Sequence, residues 1–570
     1  MKTHSKKLLL LLIGIILVFT ALSGCSGNDK ESANNTPKPN QTQGPANADD
    51  DNGGSENKDK YDPPVTISTV WGIDPALTFK NGETIENNVA TRWALDTFGI
   101  NIKVLWSVTD TNDAFSTKLR LSMSSVQEMP DIVVLGNDQQ LIQMLLESGQ
   151  FQEVGTLFDK YANDSWKNAM EIDPTVWNPY MKDGKKMAIP VLDYAYNHDY
   201  MLWIRQDWLD KLQLPVPKTI EELETVMDAF KNRNPDGLKP KEVTPLSIGI
   251  KNSMNTWMAD PSWIFGAYGT IPQQWNKAAD GSLEYGSINA GAKQALQKMN
   301  EWFNKDYIPK EVALWDENKA SEPAVAGTAG IIPGPYWMSG WPLSDTMKNV
   351  EHAVWKPIPI PAGPDGKAGR HGTLFTNGVI LINKDMKHPE ALFKYQNYLF
   401  DNLADPQPGG VFDKGVFQGY DYDIDASGKY VYGDDIPGGA VNINRYWLVR
   451  DGARIPDAQM KALLNLADGK EATSRLELEV KNNYGAETPY AAKVLLQQTD
   501  ISMVNMFTGP TTDTMKSKMD YLNKLESQVY NEIIYGKEKP DAFDKFVESW
   551  KSSGGEQITK EVNEWYANVK

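Results

Sequence analysis

From residue 65 to residue 145, short runs that alternate in polarity take turns with runs whose apolar residues recur every three or four positions. Val65, Ile67 and Thr69 read as a strand, and Val89, Trp93 and Phe98, closed by Gly99, read as one face of a helix. Ile100, Ile102, Val104, Trp106 and Val108 repeat the strand pattern, and Phe115, Leu119 and Met123 the helical one. Residues 131–135 read as a short buried strand, and Leu141 and Leu145 mark a third helix. Strict alternation of this kind predicts an open parallel α/β sheet. Ligands of such sheets sit beyond the carboxyl ends of the strands, which here carry Trp71 and Gly72, residues 106–110, and Gly136, Asn137 and Asp138. An aromatic face beside amides and carboxylates suits a polyhydroxylated ligand. For each tryptophan, core packing is the simpler account.

A second α/β unit starts after Lys185 and Lys186. Met187, Ile189 and Val191 alternate around Pro190, and a further strand spans residues 200–204 after Tyr194 and Tyr196. A short helix follows at residues 207–212. Thr219 then caps a longer one, with Glu222 at the capping-box position and Leu223, Met227 and Phe230 on one face. Strand patterns at residues 246–250 and 329–333 are separated by helices near residues 257–265 and 290–302. A chain of 570 residues exceeds what one core serves, so two or more domains are expected.

Ahead of these units, Lys2, Lys6 and Lys7 precede an apolar run from Leu8 to Leu22 and the small residues Ser23 and Gly24. This is the pattern of a secretory signal over residues 1–24. At about fifteen residues the run falls short of the roughly twenty needed to cross a bilayer. Cys25 is the only cysteine, which excludes a disulfide and a thiolate metal site. Residues 22–25 resemble a bacterial lipobox, which implies acylation of Cys25 and anchoring by two or more chains; a chance cysteine after an ordinary signal is the plainer alternative. Residues 25–61 are then the lipidated cysteine and a polar tether too poor in apolar residues to fold. A formal charge of -18 argues against nucleic acid as a partner.

Four blocks resemble, in order, bacterial extracellular solute-binding proteins of carbohydrate ABC transporters. They are MPDIVV at residues 129–134, RQDWLDKLQLPVPKTIEEL at 205–223, GPYWMSGW at 334–341 and NGVILINKDMKHPEALFKYQNYL at 377–399. The end of the chain, through KPDAFDKFVESWKSSGGEQITKEVNEWY at residues 539–566, is similar to the C-terminus of the large lipoprotein branch of that family. The resemblance implies a periplasmic-binding-protein-like α/β fold, with two discontinuous lobes around a central cleft and hinge crossings near residues 189–192, 360–373 and 430–450. Lobe 1 would hold residues 62–190 plus 371–435, and lobe 2 residues 191–370 plus 436–570. It further implies a monomer, lipid-anchored on the outer face of the cell membrane, that captures a sugar or oligosaccharide and hands it to ABC permease subunits.

Sugar recognition needs flat aromatic faces against C–H groups and polar side chains for hydroxyls. The candidate contacts are Trp71, Asn137, Tyr194, Tyr196, Trp263, Tyr336, Trp337, Arg370, Asn377 and Trp447. Trp337 and Trp341 are four apart, so one of the two is expected to be structural, and Trp208 and Trp550 look like core. Arg445, Arg450 and Arg454 cluster in a loop-rich stretch beyond Arg370. Arginine pairs bidentately with carboxylates, so uronic-acid sugars come into view; a solvated surface is the blander account.

Large relatives of this kind carry a calcium loop after the helix that follows the second-lobe opening. Here Asn232, Asn234, Asp236 and Glu242 are the candidates, but Pro240 and Val243 stand at positions nine and twelve, so no cofactor is expected. Asp421, Asp423 and Asp425 share the spacing but read better as a hairpin. There is no G-x-S-x-G, Walker loop, G-x-G-x-x-G or H-E-x-x-H motif. His198, His352, His371 and His388 show no metal spacing. The alternative to a binding protein is a secreted glycoside hydrolase, whose paired carboxylates are built in space and leave no spacing to read.

Overall fold

The computed structural model describes residues 60–569 apart from residues 112, 124–128 and 234. The signal-like segment, Cys25 and nearly all of the polar tether lie outside the described residues. Among the described residues no helix is long and apolar enough to cross a membrane.

The first lobe begins as its pattern predicts. Asn88 Oδ1 accepts the N–H groups of Ala90 and Thr91 at 3.0 and 3.1 Å, and Thr91 Oγ1 accepts the Asn88 N–H at 2.9 Å. This reciprocal cap starts the helix Val89–Phe98, which Gly99 ends at a φ of 68°. The next residue opens the strand Ile100–Thr109, parallel to Val65–Ile73. Ile67, Ile100 and Ile102 share a core with Ala90, Ala94 and Phe98 from the helix.

The parallel sheet expected beyond this pair does not form. Ile132–Leu135 pairs with Thr376–Ile382, and that strand pairs on its other side with Ile189–Leu192, both antiparallel. A strand arriving from far downstream is not delivered by a β–α–β crossover, so nothing imposes the parallel direction. Asp131 joins the two groups of strands: its Oδ2 accepts Ser68 N–H and Oγ–H at 2.7 Å each.

The second lobe is a four-stranded mixed sheet in the order Trp355–Ile358, Tyr200–Arg205, Ala329–Pro335, Thr244–Leu246. Both central strands are buried along their whole length. Side chains alternate between faces: Leu202 and Ile204 join Trp208, Phe230 and the C-terminal helices, while Met201 and Trp203 join Ala320, Leu463 and Leu495. Trp208 and Trp550 are fully buried, as their helical positions predict.

Local details shift. Thr219 Oγ1 caps its helix by accepting Glu222 N–H, but the Glu222 carboxylate accepts the N–H of Lys218 rather than of Thr219. The helix expected near residues 257–265 shrinks to Ser262–Gly266, because buried Asp260 accepts the N–H groups of Thr256 and Ser262 and holds the chain in an irregular turn. Residues 423–424 and 430–431 form the expected hairpin.

The chain passes between lobes after Leu192, after Ile360 and after Ala453. The third passage falls later than the expected 430–450. The reason is packing: Tyr446, Trp447, Leu448 and Val449 fill the first-lobe core, with Trp447 against Trp93 at 5.5 Å. Residues 436–453 therefore belong with lobe 1.

Glu526, on the helix Asp513–Ile534, is 1% exposed. Ser287, Gln273 and Tyr285 approach its carboxyl, but none makes a hydrogen bond of good geometry to it. Burial pushes this carboxyl from the ordinary 4.5 up to about 7. The folded chain then holds the proton more tightly than the unfolded chain, so stability is full in acid and is lost as pH rises from 4.5 through about 7. Glu526→Gln is expected to flatten that decline and raise the thermal midpoint at pH 8 by several degrees; equal midpoints at pH 8 would contradict the assignment.

Candidate ligand-binding cleft

The three passages between lobes are tied to one another. Asp193 N–H donates to Phe375 O at 2.8 Å and Ala195 N–H to Pro456 O at 2.6 Å. Two ion pairs reinforce these bonds. Arg454 Nη1 lies 2.5 Å from Asp193 Oδ1, and the fully buried Arg370 donates from Nε and Nη2 to Asp199 Oδ2 at 3.3 and 3.2 Å. Ser502 Oγ–H reaches the same Asp199 oxygen at 3.2 Å, from a strand that pairs in parallel with Arg370–Gly372. Burial opposes the charge on Arg454, but Asp451 and Asp193 outweigh it and raise its pKa. Asp193 is likewise held below the usual carboxylate range, because Arg454 and His198 overcome its burial.

Above this hinge lies a hollow of about 600 Å³, whose walls include Tyr194, Asn197, Asn377, Asp421, Arg475 and Tyr484. A second hollow of about 310 Å³ lies at the carboxyl ends of the first-lobe strands, beside Trp71, Asp110 and Gly136. Arg445 and Arg450 stand on the walls of both. Asp451 organises the arginines: its carboxylate lies 3.4 Å from Arg454, 3.8 Å from Arg445 and 3.9 Å from Arg450, and accepts Asn377 Nδ2–H at 2.9 Å. Burial lowers the pKa of Arg450, Asp451 opposes that, and the neighbouring guanidinium groups add to it.

The structure brings some sequence candidates here and removes others. Tyr194 lines the larger hollow with its ring beneath the Arg454 guanidinium at 4.8 Å, Asn377 lines it too, and Trp71 lines the smaller one. Asn137 is exposed nearby and donates to Thr376 O at 3.2 Å. Tyr196 packs edge-on against Phe375 at 5.5 Å with a φ of 61°. Four candidates have no accessible face. Trp263 is fully buried beside Trp302, and Trp447 is fully buried beneath the smaller hollow. Tyr336 is fully buried with its hydroxyl on Gln459 Oε1, and Arg370 is spent on Asp199. A buried aromatic and a cleft aromatic have the same local sequence, and burial decides between them.

Trp337 is partly buried. Its Nε1–H donates to Asn197 O at 2.9 Å, beside the first passage, and it stacks with Trp257 at 5.8 Å and Trp341 at 6.5 Å. Trp341 is 45% exposed, so both members of the four-apart pair present aromatic surface. Trp257, Asp451, Arg475 and Tyr484 were not singled out from sequence. Asp451 could have been, as the lone carboxylate between Arg450 and Arg454.

Residues 82–402 match the family described as bacterial extracellular solute-binding protein. The chain belongs to this family. A Bacillus subtilis (strain 168) relative named lipoprotein LipO is 23% identical over 83% of this chain and 87% of its own. The polygalacturonan/rhamnogalacturonan-binding protein YtcQ of the same organism is 24% identical over 78% of this chain and 81% of its own. The fold matches a crystal structure of the alginate-binding protein AlgQ2 with a TM-score of 0.61 at 19% identity, covering 89% of this chain and 99% of that one.

A calcium site in this solute-binding protein would use Asn232, Asn234, Asp236 and Glu242, of which Asn234 lies outside the described residues. Asp236 is already saturated with donors. Arg205 Nη2 and Trp208 Nε1 lie 2.7 Å from its Oδ2, Lys211 Nζ 2.5 Å and His352 Nε2 3.0 Å from its Oδ1. These donors overcome its burial and hold the carboxyl well below the usual range. Asp207, the third member of a potential ligand cluster with Asp236 and His352, is bridged by the same Arg205 Nη2 at 2.7 Å. Asn232 donates to Asp228, and Glu242 accepts the N–H of Lys239. Calcium wants six to eight oxygens, and a donor set holding an arginine and a lysine does not fit it.

In this solute-binding protein the Arg370–Asp199 pair spans two passages of the hinge. Asp199→Ala would leave a buried, uncompensated guanidinium, a change that costs about 3–5 kcal/mol. Denaturant unfolding is expected to show a loss of that size, and a loss below about 1 kcal/mol would mean that the pair carries no weight.

Proposed function

We propose that this protein captures an oligosaccharide in the cleft between its lobes and delivers it to an ABC importer, acting as a monomer held at the outer face of the cell membrane by acyl chains on Cys25. The observation that carries the reading is the cleft itself. It lies at the hinge, has aromatic faces at Tyr194 and Trp71, and sets amides and guanidinium groups beside them. The relatives agree in kind: YtcQ is named for binding polygalacturonan and rhamnogalacturonan, and a Streptococcus pneumoniae relative, 28% identical over 38% of this chain, is named as the fructooligosaccharide ABC transporter substrate-binding protein FusA. Ligand contacts made from both lobes at once exist only in the closed form, so binding shifts the hinge toward closure.

The cleft carboxylates favour capture over hydrolysis. Asp451 is shared by three arginines, Glu479 faces Arg475 at 3.5 Å, and the two oxygens of Asp421 accept the N–H groups of Val416 and Phe417 at 2.8 and 2.7 Å. No pair among them is free to serve as acid and nucleophile. Calorimetry on the soluble chain lacking residues 1–25, titrated with neutral and acidic oligosaccharides, is expected to show saturable one-to-one binding with the sugars recovered intact. Absence of binding across the panel sinks the reading, and recovery of shortened sugars replaces it with the hydrolase.

A further inference from the structure

The charge of the cleft runs against the charge of the protein. The chain carries a formal -18, yet the larger hollow is lined by five cationic side chains, Lys414, Arg445, Arg450, Arg454 and Arg475, and three carboxylates, Asp421, Asp451 and Glu479. Two of those carboxylates are committed, while Glu479 stands 3.5 Å from Arg475 without a hydrogen bond to it. Asp421 is buried on two backbone N–H groups, and Asp451 is divided among three guanidinium groups while accepting Asn377.

Two sets of arginines contrast. Arg205, Arg370 and Arg454 are buried or nearly so and sit 2.5–3.2 Å from carboxylate oxygens, as structural pairs do. Arg445, Arg450 and Arg475 are different: among the described residues none of their guanidinium groups makes a hydrogen bond. Their carboxylate neighbours stand at 3.6 and 3.8 Å for Arg445, 3.9 Å for Arg450 and 3.5 Å for Arg475. A charge-assisted hydrogen bond closes to about 2.7–2.9 Å, so these forks retain donors for another acid. Arg445 and Arg450 belong to the first-lobe segment that holds Trp447, whereas Arg475 opens a helix whose Val480 packs in the second lobe.

Resting on the reading of oligosaccharide capture, we propose that the ligand is an acidic oligosaccharide whose uronate carboxylates are paired by Arg445 and Arg450 from one lobe and Arg475 from the other. The planar fork of each guanidinium matches a carboxylate bidentately. Tyr194, Trp71 and Tyr484 supply faces for the sugar rings between carboxylates. The hollows, at about 600 and 310 Å³, have room for several rings. A chain with one carboxylate per ring can bridge both lobes, which a single small acid cannot.

The test uses the soluble chain lacking residues 1–25 and paired probes of three to six units: oligomers of galacturonate, mannuronate and glucuronate, the same oligomers with carboxyls reduced to alcohols, and sulfated neutral oligomers of equal length. At least one uronate series is expected to bind about ten-fold or more tightly than its reduced partner, with affinity falling as sodium chloride rises from 0.05 to about 0.5 M. Arg450→Gln combined with Arg475→Gln is expected to bring the uronate-to-reduced ratio toward one while the thermal midpoint stays within a few degrees. Equal or tighter binding of the reduced oligomers overturns the acidic-ligand inference and leaves oligosaccharide capture standing. Preference for the sulfated probes overturns the carboxylate assignment. Binding of nothing in the panel overturns the capture reading itself.

Discussion

Every feature of the cleft depends on the pairing of charges across the hinge. Asp193 and Asp199 lie on the first passage between lobes, Arg370 on the second and Arg454 on the edge of the third. Two salt bridges thus join three segments that are distant in sequence. Burying such pairs is costly and adds little net stability. Their value is positional, since Arg370 left without Asp199 would be a fully buried charge with no carboxylate partner. Arg370 shows the cost: its Nη1 has no hydrogen-bond partner among the described residues. The pairs hold the strands of the hinge to one arrangement.

From that anchor the charge pattern of the cleft follows. Arg454 is satisfied by Asp193 and shares Asp451, so Asp451 has little left for Arg445 and Arg450, which face the hollows with donors unspent. A strongly anionic protein thereby offers a locally cationic groove. Long-range repulsion and local attraction separate a ligand with spaced carboxylates from polyanions in general, because only a carboxylate that reaches the arginine forks gains from them. The calcium loop of the resemblance has taken the opposite course: Arg205 and Lys211 occupy the carboxylates that a metal ion would need.

Local order was legible wherever the signal was local. Asn88 and Gly99 bracket a helix because a cap and a left-handed residue are read within a few positions, and Trp208 and Trp550 proved to be core because helical spacing places them there. Sheet direction was not legible, since the partner of Ile132–Leu135 is a strand from beyond the second crossing. The third crossing was misplaced for the same reason: Trp447 and its neighbours fill a core begun near residue 65. Among site residues, Trp71, Tyr194 and Asn377 reach the hollows, while Trp263, Tyr336, Arg370 and Trp447 are sealed in. An aromatic after a strand is equally at home in either place. Arg475 left no trace as a cleft residue, because it opens an ordinary amphipathic helix and shares a hollow with Arg450 only through the fold.

The central claim is that one ligand is held from both lobes at once, and small-angle scattering reads this directly. The soluble chain is measured alone and with a saturating oligosaccharide whose binding calorimetry has established. The account predicts a smaller radius of gyration in the loaded state, with the change lost when Arg475→Gln removes the second-lobe contact. An unchanged radius of gyration at full occupancy would contradict it.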